Sequence, residues 1–282
     1  MESAGLLQGK TAIVTGAGRG IGRAVALAFA EQGARVVVND LGCSKDGAGS
    51  DPTVAAQVVD EIRGRGGEAI ANVDTVATAA GAAGIVRAAV ELWGGVDVLV
   101  NNAGILQDKS LLGLSESMWD EVMAVHLRGA FLCTQAAAAQ MRLQRRGGRI
   151  INTTSISGLL GNLGQANESA AKAGVYGLTR TASIELQKYG INVNAVAPIA
   201  RTRLTEDLPM FEKVGDTLEP AHVAPVYTFL ASELASEVSG MVFSVAGGRL
   251  STFQLVESAG RLKDGIWTPE EIAEHLESIS KV

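Results

Sequence analysis

Cysteine and histidine are scarce in this sequence, and their scarcity excludes several kinds of protein. The two cysteines, Cys43 and Cys133, cannot build a disulfide framework. The three histidines stand alone at positions 126, 222 and 275, and neither residue type has the spacing of a metal site. We therefore predict no bound metal and a reducing compartment, which makes the cytoplasm the expected location.

Positive charge and long apolar runs are also scarce. The net charge of −6 argues against binding to nucleic acid or to an anionic membrane surface. No apolar run approaches the length that spans a bilayer, and the first residues, MESAGLLQGK, lack the apolar segment of a secretory signal. The expected partner is a small-molecule substrate, with neither nucleic acid nor a membrane.

Short apolar segments alternate with amphipathic segments along most of the chain. The segments typical of buried strands are TAIVTG, ARVVVND, DVLVNN, GRIINTTS, INVNAVAP and MVFSVAGG. Helix-length segments such as GIGRAVALAFAEQG separate them, which implies βαβ units. The predicted fold is α/β, a doubly wound parallel sheet of the Rossmann type with helices on both faces.

The domain organisation predicted from the sequence is simple. We expect a dinucleotide-binding catalytic domain over residues 1–248 and a C-terminal tail over residues 249–282 that packs on the same domain. The tail ends in TPEEIAEHLESI, where Thr268 as N-cap and Glu271 three residues later predict a capping box.

Two irregular segments interrupt the alternation. One is a polar insertion over residues 41–52, and the other is a long connection over residues 201–220. Connections of that length are usually functional or mobile. Leu208, Met210 and Phe211 in the second suggest an apolar lid over a substrate, although such residues are as often part of a core.

The motif TGAGRGIG predicts a nucleotide-binding turn. Its glycines, at positions 16, 18, 20 and 22, come after a strand and open a helix. Glycine permits a tight turn and a close approach of backbone amides to a pyrophosphate, which the N-terminus of a helix favours. The spacing differs from the common G-x-G-x-x-G, so a plain tight turn is the alternative.

Asp40, at the end of the second predicted strand, indicates which nucleotide binds. A carboxylate there can accept a hydrogen bond from the ribose 2′-hydroxyl and would repel a 2′-phosphate, which favours NAD over NADP. Arg19 favours NADP instead, because it could reach a 2′-phosphate. Asn101, in NNAG, is expected at the carboxyl edge of the sheet near the cofactor. Asp40 and NNAG could each be ordinary turn residues.

TGAGRGIG, NNAG, a serine after the fifth strand and a lysine on the following helix together resemble the short-chain dehydrogenase/reductase superfamily. VVVNDLG, VHLRGAF, EPAHVAP and WTPEEI are similar to the (3R)-hydroxyacyl-CoA dehydrogenase region of peroxisomal multifunctional enzyme type 2 and its bacterial hydroxysteroid dehydrogenase-like relatives. The resemblance covers nearly the whole chain. It implies an NAD-dependent oxidoreductase for a 3-hydroxyacyl-CoA or hydroxysteroid-type alcohol, assembled as a homodimer or homotetramer.

The resemblance also implies roles for individual residues. Ser155 would hydrogen-bond the substrate oxygen, and Lys172 would bind the nicotinamide ribose. His126 stands where many members have an asparagine that orders a relay water, and a buried histidine bonded to backbone is an equally good interpretation. The predicted catalytic residues are Ser155, Glu168, Lys172 and His126. The predicted cofactor-binding residues are Gly16, Arg19, Gly20, Ile21, Gly22, Asp40, Asp74, Thr75, Asn101, Ala103, Gly104, Lys172, Pro198, Ala200, Arg201 and Thr202.

Glu168 is the departure from the family pattern, which has a tyrosine thirteen residues after Ser155. Glu168 lies four residues before Lys172, so we expect it to face that cation across one helical turn, which favours an ionised carboxylate that donates protons poorly. Losing the positioned acid–base group would cost about 100- to 10,000-fold in rate, whereas cofactor binding should mostly survive. Tyr176 and Tyr189 lie too far along the chain to replace it. The alternative is an exposed helix salt bridge worth about 0.2–0.5 kcal/mol.

These residues leave three hypotheses open. The chain is a dehydrogenase whose redox step Glu168, natural or introduced, impairs or alters. It is an isomerase, dehydratase or cyclase that uses Glu168 as a base while Ser155 holds the oxygen. Or it is a catalytically silent cofactor-binding subunit, in which small residues of one helix pack between subunits: Ala170, Ala171, Ala173, Gly174 and Gly177.

Overall fold

The computed structural model describes residues 5–205 and 218–282. The predicted lid residues Leu208, Met210 and Phe211 lie outside the described residues. The chain divides into two compact units, residues 1–252 and residues 253–282. Packing of the tail on the catalytic domain stays a prediction.

The first unit is built on a single sheet. Its described strands are β1 (Thr11–Thr15), β2 (Arg35–Asn39), β3 (Glu68–Asn72), β4 (Val98–Asn101), β5 (Gly148–Thr153), β6 (Ile191–Ile199), β7 (Val242–Ala246) and β8 (Arg249–Phe253). Their order is β3-β2-β1-β4-β5-β6-β7-β8, and the pairs from β3 through β7 are parallel. The order reverses between β1 and β4, and sheets of this kind bind ligands at the carboxyl ends of the strands at that point.

Helices cover both faces of the sheet, as predicted. The described helices are α1 (Gly20–Glu31), α2 (Thr53–Gly64), α3 (Ala79–Trp93), α4 (Glu116–Met123), α5 (Gly129–Gln144), α6 (Ser157–Leu160), α7 (Ala166–Leu186), α8 (Ala224–Ala231) and α9 (Pro269–Ser280). A π-helical stretch, Ala124–Arg128, joins α4 to α5. One core lies between the sheet and α1, α2 and α8, and the other between the sheet and α3, α5 and α7. The predicted doubly wound α/β fold is confirmed.

The strand sequences explain why both faces are covered. Val36 and Val38 of β2 enter the first core, while Val37 between them enters the second. Because side chains alternate across a strand, an uninterrupted apolar run needs a hydrophobic partner on each side.

One helical run tests the expectation that no segment is long enough to span a membrane. Glu116–Gln144 is formed by α4, the π-helical stretch and α5. By length and composition alone this run could cross a membrane, which corrects that expectation. A core helix meets the same criterion, and 44% of its most apolar window is buried. Since α5 also contacts α3 and β4, the length of this run gives no membrane assignment.

The second unit contains α9 and the segment before it. The Thr268 side chain accepts from the Glu271 backbone N–H at 3.2 Å, and the Glu271 carboxylate accepts from the Thr268 N–H at 2.8 Å. The predicted capping box is confirmed. Within the unit, Ser258 donates to the carbonyl of Ile279 and Lys263 pairs with Glu271.

Candidate active site

A cleft of about 370 Å³ opens at the carboxyl ends of β1, β2 and β4. Ten predicted cofactor-binding residues line it: Gly16, Arg19, Gly20, Ile21, Asp40, Asp74, Thr75, Ala103, Gly104 and Thr202. The predicted residues outside its lining are Gly22, Asn101, Lys172, Pro198, Ala200 and Arg201. Lining residues that the sequence did not suggest include Asn39, Leu41, Cys43, Asn102, Ile105, Glu121, Val125 and Arg203.

The turn over residues 16–22, called the glycine turn below, forms the floor of the cleft. Gly16 has a φ of +63°, and a Cβ there would lie 2.7 Å from the Cα of Ala103. A Cβ on Gly22 would lie 2.1 Å from the carbonyl oxygen of Gly16. Only glycine therefore lets α1 begin this close to the end of β1.

The N-terminus of α1 fits the pyrophosphate of a dinucleotide. Its N-cap, Arg19, makes no side-chain capping bond, and the first turn contains no acidic residue. The first backbone N–H groups of a helix have no acceptor inside the helix, and they carry the positive end of its dipole. A phosphate at this position would satisfy those groups.

The carboxylate of Asp40 is fixed beside the glycine turn by two backbone groups. Its oxygens accept from the N–H of Gly18 at 2.8 Å and from the N–H of Gly42 at 2.7 Å. Arg19 and Arg203 each donate to the carbonyl of Cys43, at 3.2 and 3.1 Å. The guanidinium groups nearest this end of the cleft are thus directed at a backbone oxygen.

The NNAG segment fastens β1 to β4. The Thr15 hydroxyl accepts from the N–H groups of Asn102 and Ala103 at 3.0 and 3.1 Å. The Asn102 side chain donates to the carbonyls of Thr15 and Gly16. These bonds set the width of the cleft floor.

Asn101 belongs to a buried hydrogen-bond chain, the asparagine network (Asn101, Asn152 and Thr179). Asn101 donates to the Asn152 side-chain oxygen at 2.8 Å, and Asn152 donates to the Thr179 hydroxyl at 2.9 Å. The network joins β4, β5 and α7. The side chain of Asn101 is therefore used inside the protein and does not line the cleft.

Behind the cleft lies a small cavity of about 10 Å³. His126, Lys172, Thr153 and Asn101 contribute to its wall. The Lys172 ammonium donates to the carbonyl of Thr153 at 2.9 Å. Burial lowers the pKa of Lys172, and the nearby Glu168 carboxylate opposes that shift.

Glu168 is buried, with 7% of its surface exposed, so it is no solvated surface residue. Its Oε2 lies 3.4 Å from His126 Nε2. No ion pair within 4.0 Å joins Glu168 to Lys172, although both are described, so the two residues form no salt bridge. The physical reason is reach: the long lysine side chain extends to the end of β5, where a buried ammonium finds the acceptor that it needs. The Glu168 carboxylate still acts on the pKa of Lys172, as expected for residues one helical turn apart.

His126 occupies the π-helical stretch, a feature that often occurs at functional sites. Its Nε2 accepts from the Ile105 N–H at 2.9 Å in one tautomer, or donates to the Ile105 carbonyl at 2.8 Å in the other. Burial lowers the pKa of His126; the Glu168 carboxylate raises it, and Lys172 lowers it further. We call His126, Glu168 and Lys172 the buried cluster.

Ser155 follows β5 and is partly exposed. Its hydroxyl lies 2.7 Å from that of Ser157, whose backbone N–H also donates to Ser155 Oγ at 3.2 Å. These two contacts fix the hydroxyl beside the start of α6.

The three tyrosines are all described, and none lines the cleft or the small cavity. Tyr189 lies under the cations of Arg142 and Lys188. Tyr227 is fully buried, with its hydroxyl 2.8 Å from that of Thr153, and burial raises its pKa. Tyr176 is half-buried on α7.

Comparison with known proteins decides the family. Residues 10–212 match the family described as short chain dehydrogenase. The chain belongs to the short-chain dehydrogenase family. Members of this family are oxidoreductases, and their cofactor is a nicotinamide dinucleotide, NAD or NADP.

Individual relatives support the same assignment. The chain is 44% identical over 274 residues to peroxisomal multifunctional enzyme type 2 from Mus musculus, covering 96% of this chain and 36% of that enzyme. It is 42% identical over 288 residues to hydroxyacyl-CoA dehydrogenase ChsB1 from Mycobacterium tuberculosis, covering 96% and 88%. It also matches the crystal structure of a short chain dehydrogenase from Mycobacterium avium with a TM-score of 0.86 and 43% identity, covering 98% and 95%. The chain thus spans only about a third of the mouse enzyme's length.

Proposed function

We propose that this chain is an NAD-dependent dehydrogenase for a 3-hydroxyacyl-CoA or hydroxysteroid-type alcohol, and that Glu168 replaces the family tyrosine in proton transfer. One observation carries the proposal: the imidazole of His126 and the ammonium of Lys172 line a small cavity behind the cleft, and the buried carboxylate of Glu168 lies beside that imidazole. Val76, Ala103 and Val125 line both spaces, so the small cavity adjoins the cleft. The name of the Mycobacterium tuberculosis relative supports the acyl-CoA class of substrate.

NAD is the cofactor in this proposal because of Asp40. Two backbone N–H groups hold the carboxylate at the end of the cleft to which we assign the ribose, and its oxygens can still accept from a 2′-hydroxyl. A 2′-phosphate would meet a negative charge that cannot rotate away. The nearest guanidinium groups, on Arg19 and Arg203, are engaged by the Cys43 carbonyl.

Each polar residue of the site has a defined task. When bound, the nicotinamide supplies the hydride chemistry. Ser155 holds the substrate oxygen with a hydroxyl that Ser157 fixes. Lys172 uses one of its three donors on Thr153 and keeps the others for the ribose. Glu168 takes the hydroxyl proton during oxidation and returns it during reduction.

The redox step is expected to be slow in this chain. A carboxylate is shorter than a phenol, and misplacement by about 1 Å can cost on the order of 100-fold in rate. The rest of the cleft is unaffected, so we expect NAD to bind normally.

Glu168→Tyr is the direct test. We expect the variant to oxidise 3-hydroxybutyryl-CoA with NAD about 100-fold faster or more, because it restores a donor of the correct length. Stopped-flow absorbance of the reduced nicotinamide measures the rate, and fluorescence quenching measures the Kd for NAD. Ser155→Ala in the tyrosine background should remove the gain. A tyrosine variant that binds NAD and gains no rate would refute the proposal.

A non-redox reaction is a second candidate, which the contact between Glu168 and His126 favours. A carboxylate with an unpartnered oxygen beside an imidazole suits removal of a proton next to a carbonyl group. An isomerase or dehydratase of this kind would convert substrate with no change in nicotinamide absorbance. Activity retained in Glu168→Gln would rule it out.

The silent-subunit hypothesis loses part of its basis. Ala171 is fully buried in the chain's own core, and a Cβ on Gly174 would lie 2.6 Å from the Leu127 side chain of the same chain. These two residues of α7 are therefore occupied within the protein. A homodimer or homotetramer in the cytoplasm remains part of the proposal.

A further inference from the structure

Two buried side chains of the buried cluster carry polar atoms that have no hydrogen-bond partner in the protein. These atoms are Glu168 Oε2 and His126 Nδ1. The two side chains are 10% and 4% exposed. Leaving such an atom unsatisfied costs about 1–3 kcal/mol, and folded proteins keep one where water or chemistry uses it.

The distance between the two side chains is set by the backbone on both sides. His126 is held in place by the backbone N–H and carbonyl of Ile105. The start of α7 is fixed by Asn167, which donates to the carbonyls of Gln107 and Met118. The 3.4 Å between His126 Nε2 and Glu168 Oε2 is therefore a property of the packed elements.

We propose that His126 is the proton partner of Glu168, a step that rests on the proposed dehydrogenase function. During alcohol oxidation the substrate O–H bond breaks, its proton goes to the Glu168 carboxylate, and a hydride leaves the same carbon for the nicotinamide of NAD. The proton then passes from Glu168 Oε2 to the lone pair of His126 Nε2, which restores the carboxylate. Nε2 gives up its hydrogen bond from the Ile105 N–H in this step, and it can then donate to the Ile105 carbonyl. Carbonyl reduction runs the same transfers in reverse. Because His126 acts through Glu168, it is a positioning residue.

The surroundings of His126 suit transfer of a proton better than storage. Burial and the Lys172 ammonium both lower the pKa of the imidazole, while the Glu168 carboxylate opposes them. The imidazolium therefore gives its proton up readily. His126 also borders the small cavity, whose volume of about 10 Å³ is close to what one water molecule needs. A water held there would accept the proton that the imidazolium gives up.

Histidine NMR tests the pairing without any turnover. The chain has three histidines, and the signals of the exposed His222 and the partly buried His275 can be assigned from His222→Gln and His275→Gln. We expect Glu168→Gln to lower the pKa of His126 and to shift its ring ¹⁵N resonances at pH 7, because the carboxylate that favours the imidazolium is gone. The signals of His222 and His275 should not move. Identical His126 signals in wild type and Glu168→Gln would overturn the proposal.

A double-mutant cycle tests the role in the reaction. His126→Gln keeps a group that can bond to Ile105 but cannot carry the proton. We expect it to lower kcat for 3-hydroxybutyryl-CoA oxidation about 10- to 100-fold, to flatten the pH profile of kcat and to leave KM unchanged. In the Glu168→Tyr background the same change should cost less than about twofold, because coupled residues are non-additive. His126→Asn provides a second variant should the glutamine variant fold poorly, and His222→Gln is the matched control.

The outcomes separate the two proposals. Equal losses in both backgrounds, with an active wild type, would overturn the proton step and leave the dehydrogenase assignment intact. A second outcome is that the His126 signals respond to Glu168→Gln, while neither the wild type nor Glu168→Tyr oxidises a hydroxyacyl-CoA. That outcome would refute the dehydrogenase function and the proton step, and it would support only the contact between His126 and Glu168. Coupled signals together with a non-additive cycle would support both.

Discussion

The glycine turn with Asp40 and the buried cluster are built in opposite ways. The first uses backbone N–H groups and one carboxylate that is already hydrogen-bonded, and it opens into a cleft of about 370 Å³. The second uses three titratable side chains that are almost fully buried, two of which have unpartnered atoms. In our proposal, the main chain of the glycine turn binds the cofactor, and the buried side chains of the buried cluster transfer the proton.

This contrast shows why one substitution can change chemistry and spare binding. The bonds of Asp40 go to Gly18 and Gly42, whereas Glu168 contacts His126 and Lys172 donates to Thr153. A change at position 168 therefore disturbs charge balance in the buried cluster and leaves the glycine turn as it is.

Gly22→Val should break the glycine turn and give the largest effect. The added Cβ would lie 2.1 Å from the Gly16 carbonyl oxygen, so α1 must move away from β1. We expect a loss of stability of about 3 kcal/mol and loss of NAD binding, measured by thermal unfolding and fluorescence titration. Gly177→Ala is the control: a Cβ there meets no atom within 4 Å, and it should stabilise α7 by about 0.5–1 kcal/mol. Normal NAD binding by Gly22→Val would contradict the geometry.

Asp40→Asn should weaken NAD binding and leave the fold intact. It would thus separate the binding role of the glycine turn from its structural role. Removing a charged acceptor is expected to cost about 1.5–3 kcal/mol, or roughly 10- to 100-fold in the Kd for NAD. Affinity for NADP should rise relative to NAD, because the repulsion is gone. Isothermal titration with each cofactor measures both changes, and Asp60→Asn on the exposed face of α2 is the control. Unchanged selectivity would remove Asp40 from the ribose site.

Burial of His126 should make the stability of the protein depend on pH, and this is the smallest of the three expected effects. Its folded-state pKa is lowered by burial, so below about pH 6.5 the unfolded chain binds a proton that the folded chain does not. The free energy of unfolding should therefore decrease as the pH falls below about 6.5, and His126 contributes at most about 1.4 kcal/mol per pH unit to this decrease. Above that pH, His126 should contribute no pH dependence. Urea unfolding between pH 5 and 8 should lose this slope in His126→Gln and keep it in His222→Gln. An unchanged slope in His126→Gln would show that His126 is not the residue responsible.

Most of the fold follows from the sequence, and the exceptions have a common cause. The six predicted strands are all present, because each has apolar residues on both faces. The sequence did not predict β3 or β8. Both lie at edges of the sheet, and Ala69 of β3 is the only buried residue in these two strands. Edge strands carry a weaker apolar signal, since only part of their surface faces a core.

The site could be predicted in part. The glycine turn and Asp40 are local in sequence, so spacing locates them. The contact between Glu168 and His126 joins α7 to the π-helical stretch, and no local rule reports a pair so distant along the chain. The helical spacing rule instead favoured Lys172, because it assumes side chains that stay on an exposed helix surface.

The asparagine network has a consequence for folding specificity. Strands made of valine and isoleucine alone would pack tolerably if one slid past its neighbour by two residues, since the same face would stay apolar. A slide of β4 against β5 would pull the Asn101 amide away from Asn152 and leave both buried groups without this hydrogen bond. Misregistered sheets are thereby penalised before any ligand is present. The Asn101 and Asn152 amides therefore favour the native register of β4 and β5, and the geometry of the cleft depends on that register.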